Sequence, residues 1–346
     1  MIRPQAALPK LVGEIFAEAS NYPLMIIPLF VLMGNLAGVS GMSRDLYDAA
    51  NARLGHRKGG LASATVVGCA GFSALSGSSL AAALTMGRVA LPQMQRYGYE
   101  NGLATGAIAA GGTLGILIPP SAGFVIYDIL TEQSIGQLFM ASVLPGLLLT
   151  CLFIVAIWIV VTRDPSKAPT NLDPVPLPER LRALGRASWI TGIIVLTIGG
   201  IYSGVFSAIE AAGIGALLAL LVTIFRGALT RENIEDVVSS TLKSSGTVFM
   251  ILFGAFVFKT FVGFTGITYA LSLWVADIGL TGSQIVVAFL LLFIILGMFM
   301  DGFAILVLTS STGAAYLGTA WRRYDMVWRF DGDRAGNGAE FTTRRH

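Results

Sequence analysis

Residues 112–127 read GTLGILIPPSAGFVIY, an apolar stretch that contains two consecutive prolines. Pro119 and Pro120 lack the backbone N–H that a helix needs, and proline also disfavours helical geometry at the residue before it. A helix that enters this stretch is therefore predicted to be interrupted at the prolines. Such a break exposes carbonyl oxygens on one side and a new helix N-terminus on the other. A simple proline kink in a packed helix is the alternative interpretation.

The sequence around this stretch has the composition of a membrane protein. Of the 346 residues, 54% are hydrophobic and 12% are charged, whereas a soluble domain carries about 25% charged residues. Uncharged runs cover residues 21–43, 59–87, 101–127, 138–162, 244–258 and 278–300, and Glu210 alone interrupts the run 188–225. A bilayer core needs about 20 apolar residues per helix. Because these runs lack the polar faces of a soluble helical core, the predicted fold class is an all-α integral membrane protein.

Several function classes are disfavoured by the residue counts. The net charge is only +3, and the basic residues lie in short loops rather than in a nucleic-acid-binding stripe. Two cysteines and two histidines leave no metal-ligand cluster and no Cys/His couple. No Ser/His/Asp set falls at membrane depth, so an intramembrane enzyme is also disfavoured. The chain is therefore predicted to be neither an enzyme nor a nucleic-acid-binding protein.

Loop charge predicts a re-entrant hairpin before the proline stretch. Basic residues mark cytoplasmic loops, and they lie on both sides of the run 59–87, so this run leaves and re-enters on one side of the membrane. The run could form two half-helices, with Gly71, Ser73, Ser76, Gly77 and Ser78 near its middle, or one tilted helix. Backbone at a hairpin tip is tolerated only where it is buried in protein or lines a wet cavity. The tip is therefore a candidate site.

The hairpin and the helix break together indicate a transport site. Secondary transporters hold ions and anions at broken helices near the bilayer midplane. Helix N-termini there face carboxylates, and free carbonyls face Na⁺. Because the hairpin directly precedes the apolar run that contains Pro119 and Pro120, we favour a binding function for this break over a packing kink.

The second half of the chain repeats the first at a shift of 225 residues. The basic arm of the first copy corresponds to residues 267–281, which contain Asp277 but no Lys or Arg. Opposite loop charge predicts opposite orientation, so the chain is expected to be an inverted repeat. The matching pairs are Ser40-Gly41-Met42 with Thr265-Gly266-Ile267, Ser76-Gly77 with Asp301-Gly302, and Tyr99 with Tyr324.

These motifs resemble the large membrane subunit of TRAP transporters, the tripartite ATP-independent periplasmic transporters. The resemblance covers nearly everything from about residue 20 to 309 and is most specific in LGILIPPS and GMFMDG. The segments that carry it are IPLFVLMGNLAGVSG (27–41), SALSGSSLAAALTMGRVALPQM (73–94), GTLGILIPPSAGFVIY (112–127), SIGQLFMASVLPG (134–146), GVFSAIEAA (204–212) and LGMFMDGFAILVLT (296–309).

The resemblance implies a Na⁺ symporter of the bacterial inner membrane for organic acids, such as C4-dicarboxylates or acidic sugars. It also implies a periplasmic solute-binding protein that delivers the substrate, a small membrane subunit, and no cofactor other than the coupling Na⁺. The expected organisation is an N-terminal segment (1–21), a first repeat (22–162), a cytoplasmic linker (163–187), an incomplete second repeat (188–309) and an aberrant tail (310–346).

Site residues are carried over from the family by motif. The tip residues and the break residues are expected to form the first ion site and half of the substrate cleft: Ser76, Gly77, Ser78, Ser79, Gly112, Pro119, Pro120 and Ser121. Na⁺ ligation is expected from Ser76, Ser78, Gly112 and Pro119. The mirror-image site is expected at Asp301, Gly302 and Thr309. Asp301 has an alternative role as a helix-end charge, and Glu210 is expected to cap a helix rather than to bind an ion.

The chain departs from the family pattern in two places. The family has another apolar span before the position of Tyr22, and the pattern ends after Thr309. We interpret residues 310–346 as the product of a reading-frame shift, with a divergent soluble tail as the alternative. Two alternative functions stay open. One is a stand-alone Na⁺/anion symporter of related architecture, and the other is a non-transporting truncated product.

Overall fold

The structure, a computed structural model, describes Gly13, Phe16, residues 22–131, 133–169, 174–265 and 282–299, Gly302, Ile305 and Leu306. The regular structure of these residues is helical, without strands. Six helical segments of this described part are long and apolar enough to cross a membrane. The predicted all-α membrane fold class is therefore confirmed.

The chain divides into two compact units. One consists of residues 18–250, and the second consists of residues 1–17 and 251–346. Among the described residues, the first unit contains the α-helices α1 to α9 and the start of α10. The helices are α1 (Ile26–Val39), α2 (Met42–Leu54), α3 (Gly60–Ser76), α4 (Ser79–Arg96), α5 (Asn101–Leu117), α6 (Ala122–Thr131), α7 (Ile135–Arg163), α8 (Leu177–Tyr202), α9 (Ala208–Phe225), α10 (Arg231–Thr265) and α11 (Gly282–Gly297).

The run 59–87 forms two helices, α3 and α4, that turn back on each other. At the base of this hairpin the amide of Leu61 donates a hydrogen bond to the hydroxyl of Tyr99, across 3.3 Å. The hydroxyl of Thr65 also contacts the sulfur of Met94 at 3.9 Å. The tip is the two-residue connection after Ser76. The structure thus has two helices where a single tilted helix was the alternative, and re-entry from one membrane side stays a prediction.

Helix α5 packs against both arms of the hairpin through glycines. A Cβ on Gly111 would lie 2.8 Å from the sulfur of Cys69 on α3, and one on Gly115 would lie 2.7 Å from the backbone of Ser79 on α4. In a bilayer the hydrophobic effect does not drive helices together, so their association depends on close packing, which small residues allow. The Gly-rich sequence of α5 therefore determines how closely the hairpin and the broken helix approach.

A second group of contacts joins α1 and α2 to α8, α9 and α10. The side-chain amide of Asn35 donates to the hydroxyl of Thr241 on α10 at 2.9 Å. The guanidinium of Arg226, just after α9, forms a 2.6 Å ion pair with Asp45 on α2. The same guanidinium donates to the carbonyl of Ser40 at 3.2 Å. These contacts link the bend between α1 and α2 to the helices that follow the linker.

The predicted organisation stays a prediction, and part of it lies outside the described residues. Helix α8 begins at Leu177, inside the predicted linker 163–187, because a helical turn with Pro178 near its start leads directly into the apolar span. The run 188–225 divides into α8 and α9. The second copies of the repeat motifs, at 266–267 and Tyr324, and the tail 310–346 lie outside the described residues.

Candidate functional site

Four helix ends meet at the hairpin tip and the helix break. Helices α3 and α5 end there, and α4 and α6 begin there. The amide of Ala122 donates a hydrogen bond to the carbonyl of Gly77 at 3.2 Å. A Cβ on Gly77 would lie 2.7 Å from the carbonyl oxygen of Pro120. The structure therefore brings the predicted tip residues and break residues together.

The turn at the tip needs glycine for two reasons. Gly77 has φ +59°, in the left-handed region that residues with a Cβ disfavour. Its missing side chain also leaves space for the Pro120 carbonyl described above. Ser78 follows in an extended conformation, and its hydroxyl accepts from the amide of Ala81 at 3.3 Å. The tip is thus a helix C-terminus followed immediately by a capped helix N-terminus.

The break has the same order of helix ends as the tip, a helix C-terminus followed by a helix N-terminus. Helix α5 ends at Leu117, and the amide of Ile118 still donates to the carbonyl of Leu114 at 2.8 Å. The last carbonyls of a helix have no intrahelical partner. On the other side, the buried hydroxyl of Ser121 accepts from the amide of Gly123 at 3.2 Å. The predicted interruption at the prolines is confirmed, with a helix C-terminus before it and a helix N-terminus after it.

Two serine hydroxyls near the tip are buried without a hydrogen-bond partner. Among the residues described, neither the Oγ of Ser73 nor the Oγ of Ser76 has a partner. Both serines lie on the last turn of α3, three positions apart, so they share one face of the helix. An unpaired buried hydroxyl is unusual and is typically satisfied by water or an ion. Ser73 was not predicted as a site residue, although its spacing from Ser76 was a usable signal.

Gly112 and Pro119, the other two predicted Na⁺ ligands on this side of the site, lie in and after α5. Gly112 lies inside α5, where a Cβ would meet the Cβ of Ala83 at 2.7 Å and the carbonyl of Ser79 at 3.2 Å. The structure thus gives Gly112 a packing contact with α4. Pro119 is buried and joined to Pro120 by a cis peptide bond. Na⁺ ligation by these residues stays a prediction.

Of the predicted mirror-image site, Gly302 lies among the described residues. Asp301 and Thr309 lie outside the described residues. Gly302 is helical and exposed, and it belongs to the unit formed by residues 1–17 and 251–346. The roles of these three residues stay predictions.

Glu210 is part of a capping box at the start of α9. Its carboxylate accepts from the amide and the hydroxyl of Ser207, at 2.8 and 2.9 Å. The hydroxyl of Ser207 accepts in return from the amide of Glu210 at 3.3 Å. This reciprocal arrangement satisfies two amides that a helix start leaves free. The predicted capping role of Glu210 is confirmed.

Comparisons with known proteins match this architecture to one family. The model of the family "Tripartite ATP-independent periplasmic transporter, DctM component" matches residues 4–320. This match extends beyond residues 20–309, the part of the chain on which the sequence motifs lie, at both ends.

Three relatives are similar over most of the chain. A C4-dicarboxylate TRAP transporter large permease of Pseudomonas aeruginosa is 36% identical over 85% of this chain and 69% of its own length. A protein of the same description from Rhodobacter capsulatus is 33% identical over 83% of this chain and 68% of its own length. An ectoine TRAP transporter large permease of Halomonas elongata is 33% identical over 86% of this chain and 70% of its own length. All three are transport proteins rather than enzymes. Because the family model and these relatives match most of the chain, the chain belongs to the DctM family, the large permease component of TRAP transporters.

Proposed function

We propose that the chain is the permease through which a TRAP transporter imports organic acids across the bacterial inner membrane, driven by Na⁺. The substrate class we propose is C4-dicarboxylates or acidic sugars. A periplasmic binding protein would deliver the substrate, and a small membrane subunit would complete the assembly. The tripartite description of the family supports both partners, and two relatives named for C4-dicarboxylates support the substrate class.

The observation that carries this proposal is the meeting of four helix ends at the tip and the break. The ends of α3 and α5 present carbonyl oxygens, which suit a hard cation. The starts of α4 and α6 present amides and the positive ends of helix dipoles, which suit a carboxylate. A Na⁺ and an anionic substrate could therefore bind side by side, and each would screen the charge of the other.

The stand-alone symporter is the alternative that the family description disfavours, and one assay separates the two. The chain would be reconstituted in proteoliposomes with its small subunit, and labelled succinate would be supplied with and without the cognate binding protein. We expect uptake only with the binding protein and an inward Na⁺ gradient. Equal uptake without the binding protein would favour the stand-alone symporter, and equal uptake in a K⁺ gradient would contradict Na⁺ coupling.

The ion site is tested with serine variants of α3. Ser76→Ala and Ser73→Ala remove the two unpaired hydroxyls. If either hydroxyl ligates Na⁺, the Na⁺ concentration for half-maximal uptake should rise about tenfold or more, as for a lost bond to a charged group. Ser63→Ala is the matched control, because Ser63 is a buried serine of the same helix in its first turn. An unchanged Na⁺ dependence in both variants would contradict ligation by these hydroxyls.

A further inference from the structure

A cavity of about 410 Å³ lies between α2 and α8, away from the transport site. The described polar residues that line it are all basic. Three of its basic residues come from the end of α2 and the turn after it, and one comes from the first turn of α8. These residues, named here the basic cavity, are Arg53, His56, Arg57 and Arg180.

Among the described residues, the basic cavity has no anionic partner. In the part of the chain that the structure describes, no guanidinium of this cavity lies within 4.0 Å of a carboxylate. The Nε of Arg180 and the Nδ1 of His56 are buried there without a hydrogen-bond partner. Buried unpaired polar atoms and like charges both destabilise a site. An anion in the cavity would relieve both.

The neighbouring carboxylates that the structure describes do not fill this role. Asp48 on α2 faces Arg186 at 4.0 Å, and Asp45 is paired with Arg226. Glu179 precedes Arg180 in the first turn of α8, but it does not line the cavity. Both of these aspartates are therefore paired with arginines that lie outside the basic cavity.

A stripe of exposed leucines borders the basic cavity. Leu177 and Leu181 are 70% and 68% exposed, and Leu184 continues the same face of α8 one turn further. Helix α8 is long and apolar enough to cross a membrane, so its first turns lie near the bilayer surface. Basic loops mark the cytoplasmic side. The site thus combines cationic groups at headgroup level with an apolar strip that leads along the helix.

We propose that the basic cavity binds the phosphate headgroup of an anionic phospholipid, such as phosphatidylglycerol, and that an acyl chain lies along the leucine stripe. Basic pockets between membrane helices are suited to anionic lipid headgroups. The charge complementarity selects an anionic lipid over a zwitterionic one, and the leucine stripe selects a lipid over a free phosphate ion. This inference is independent of the proposed Na⁺ coupling and substrate.

The test measures lipid binding to the purified full-length chain in detergent by native mass spectrometry. Short-chain phosphatidylglycerol, phosphatidylcholine and inorganic phosphate are titrated separately. Each arginine near an anionic lipid surface contributes about fivefold in affinity, so Arg53→Gln/Arg180→Gln should weaken phosphatidylglycerol binding about 25-fold. The control Arg182→Gln/Arg231→Gln removes the same charge at two exposed arginines outside the cavity and should change binding less than about twofold.

Leucine substitution separates the two sources of phosphate. Leu181→Asn should weaken phosphatidylglycerol binding several-fold and leave phosphate binding unchanged. The proposal would be overturned if the two double-arginine variants lost equal affinity for phosphatidylglycerol. It would also be overturned if phosphatidylcholine bound as tightly as phosphatidylglycerol, or if inorganic phosphate bound more tightly than the lipid. Loss of lipid binding when the small membrane subunit is added would also overturn it, because the cavity would then be a protein interface.

Discussion

The amide of Ala122 donates a hydrogen bond to the carbonyl of Gly77 across 3.2 Å. This bond joins the hairpin tip to the first turn of α6, two segments that are 45 residues apart in the chain. The hydrogen bond thus connects the tip and the break directly through their backbones. A site built in this way can respond as one element when an ion or a substrate binds.

Gly77→Ala tests whether the tip tolerates a side chain. The residue has φ +59°, and the new Cβ would meet the Pro120 carbonyl at 2.7 Å. The left-handed conformation alone costs about 1–2 kcal/mol for a residue with a Cβ, and the collision adds to this. We expect a lower thermal midpoint in detergent, measured by intrinsic tryptophan fluorescence, and strongly reduced uptake.

The matched control for Gly77 is Gly213→Ala on α9, where a Cβ meets nothing within 4 Å. Alanine favours a helix over glycine by up to about 1 kcal/mol, so this variant should be as stable as the wild type or more so. Normal uptake and an unchanged midpoint in Gly77→Ala would show that the tip does not approach Pro120 as described.

Gly115→Ala tests the approach of α5 to the hairpin. Its Cβ would lie 2.7 Å from the backbone carbon of Ser78 and from the backbone nitrogen of Ser79. Backbone atoms cannot rotate away, so α5 must shift, and overpacking of this kind costs about 1–3 kcal/mol. We expect reduced thermal stability and reduced uptake, measured as for Gly77→Ala.

Gly106→Ala, on the same helix, is the control for this prediction, because a Cβ there meets nothing within 4 Å. It should preserve both stability and uptake. If the two substitutions had equal effects, helix propensity rather than close packing would explain them.

The fold class and the helix break could be predicted from the sequence because both depend on local chemistry. Uncharged runs predict membrane helices, and Pro119 and Pro120 remove backbone donors wherever they are placed. The role of Glu210 could be predicted for the same reason, since a capping box spans three residues. The start of α8 at Leu177 is harder to place from the sequence, because the polar and proline-rich residues near it are also typical of a linker.

The details of the site depend on contacts between distant residues, and these leave weak traces in a single sequence. Gly112 belongs to a motif, yet its contacts with Ala83 and Ser79 come from the packing of α5 on α4. The unpaired hydroxyl of Ser73 likewise depends on which face of α3 is buried. The basic cavity requires Arg53 and Arg180, which are far apart in the chain, to meet.

Ser207→Ala and Glu210→Gln separate a capping role from ion binding. Removal of the capping hydroxyl should cost about 1 kcal/mol of stability. Glutamine can replace glutamate in a capping box, so Glu210→Gln should retain most of the stability and the wild-type Na⁺ dependence of uptake. The measurements are the thermal midpoint and the Na⁺ concentration for half-maximal uptake. A large change of Na⁺ dependence in Glu210→Gln would contradict a purely structural role.

The ion pair of Arg226 and Asp45 is expected to be the most sensitive of the ion pairs between described residues. The two side chains are 25% and 14% exposed, and their atoms approach to 2.6 Å. Loss of one partner leaves the other charge buried, which costs about 3–5 kcal/mol for a fully buried pair, and residual exposure of this pair reduces that figure. Arg226→Gln should therefore destabilise the chain far more than Arg231→Gln, since Arg231 pairs with Glu235 in an exposed position.

A double-mutant cycle distinguishes the ion pair from the other bonds of Arg226. If the pair dominates, Asp45→Asn/Arg226→Gln should be less destabilised than the sum of the single variants, because neither charge is then left alone. Additive losses in the thermal midpoint would show that the bond from Arg226 to the Ser40 carbonyl carries the effect instead. In that case the guanidinium would act mainly on the bend between α1 and α2, and Asp45→Asn alone would be nearly neutral.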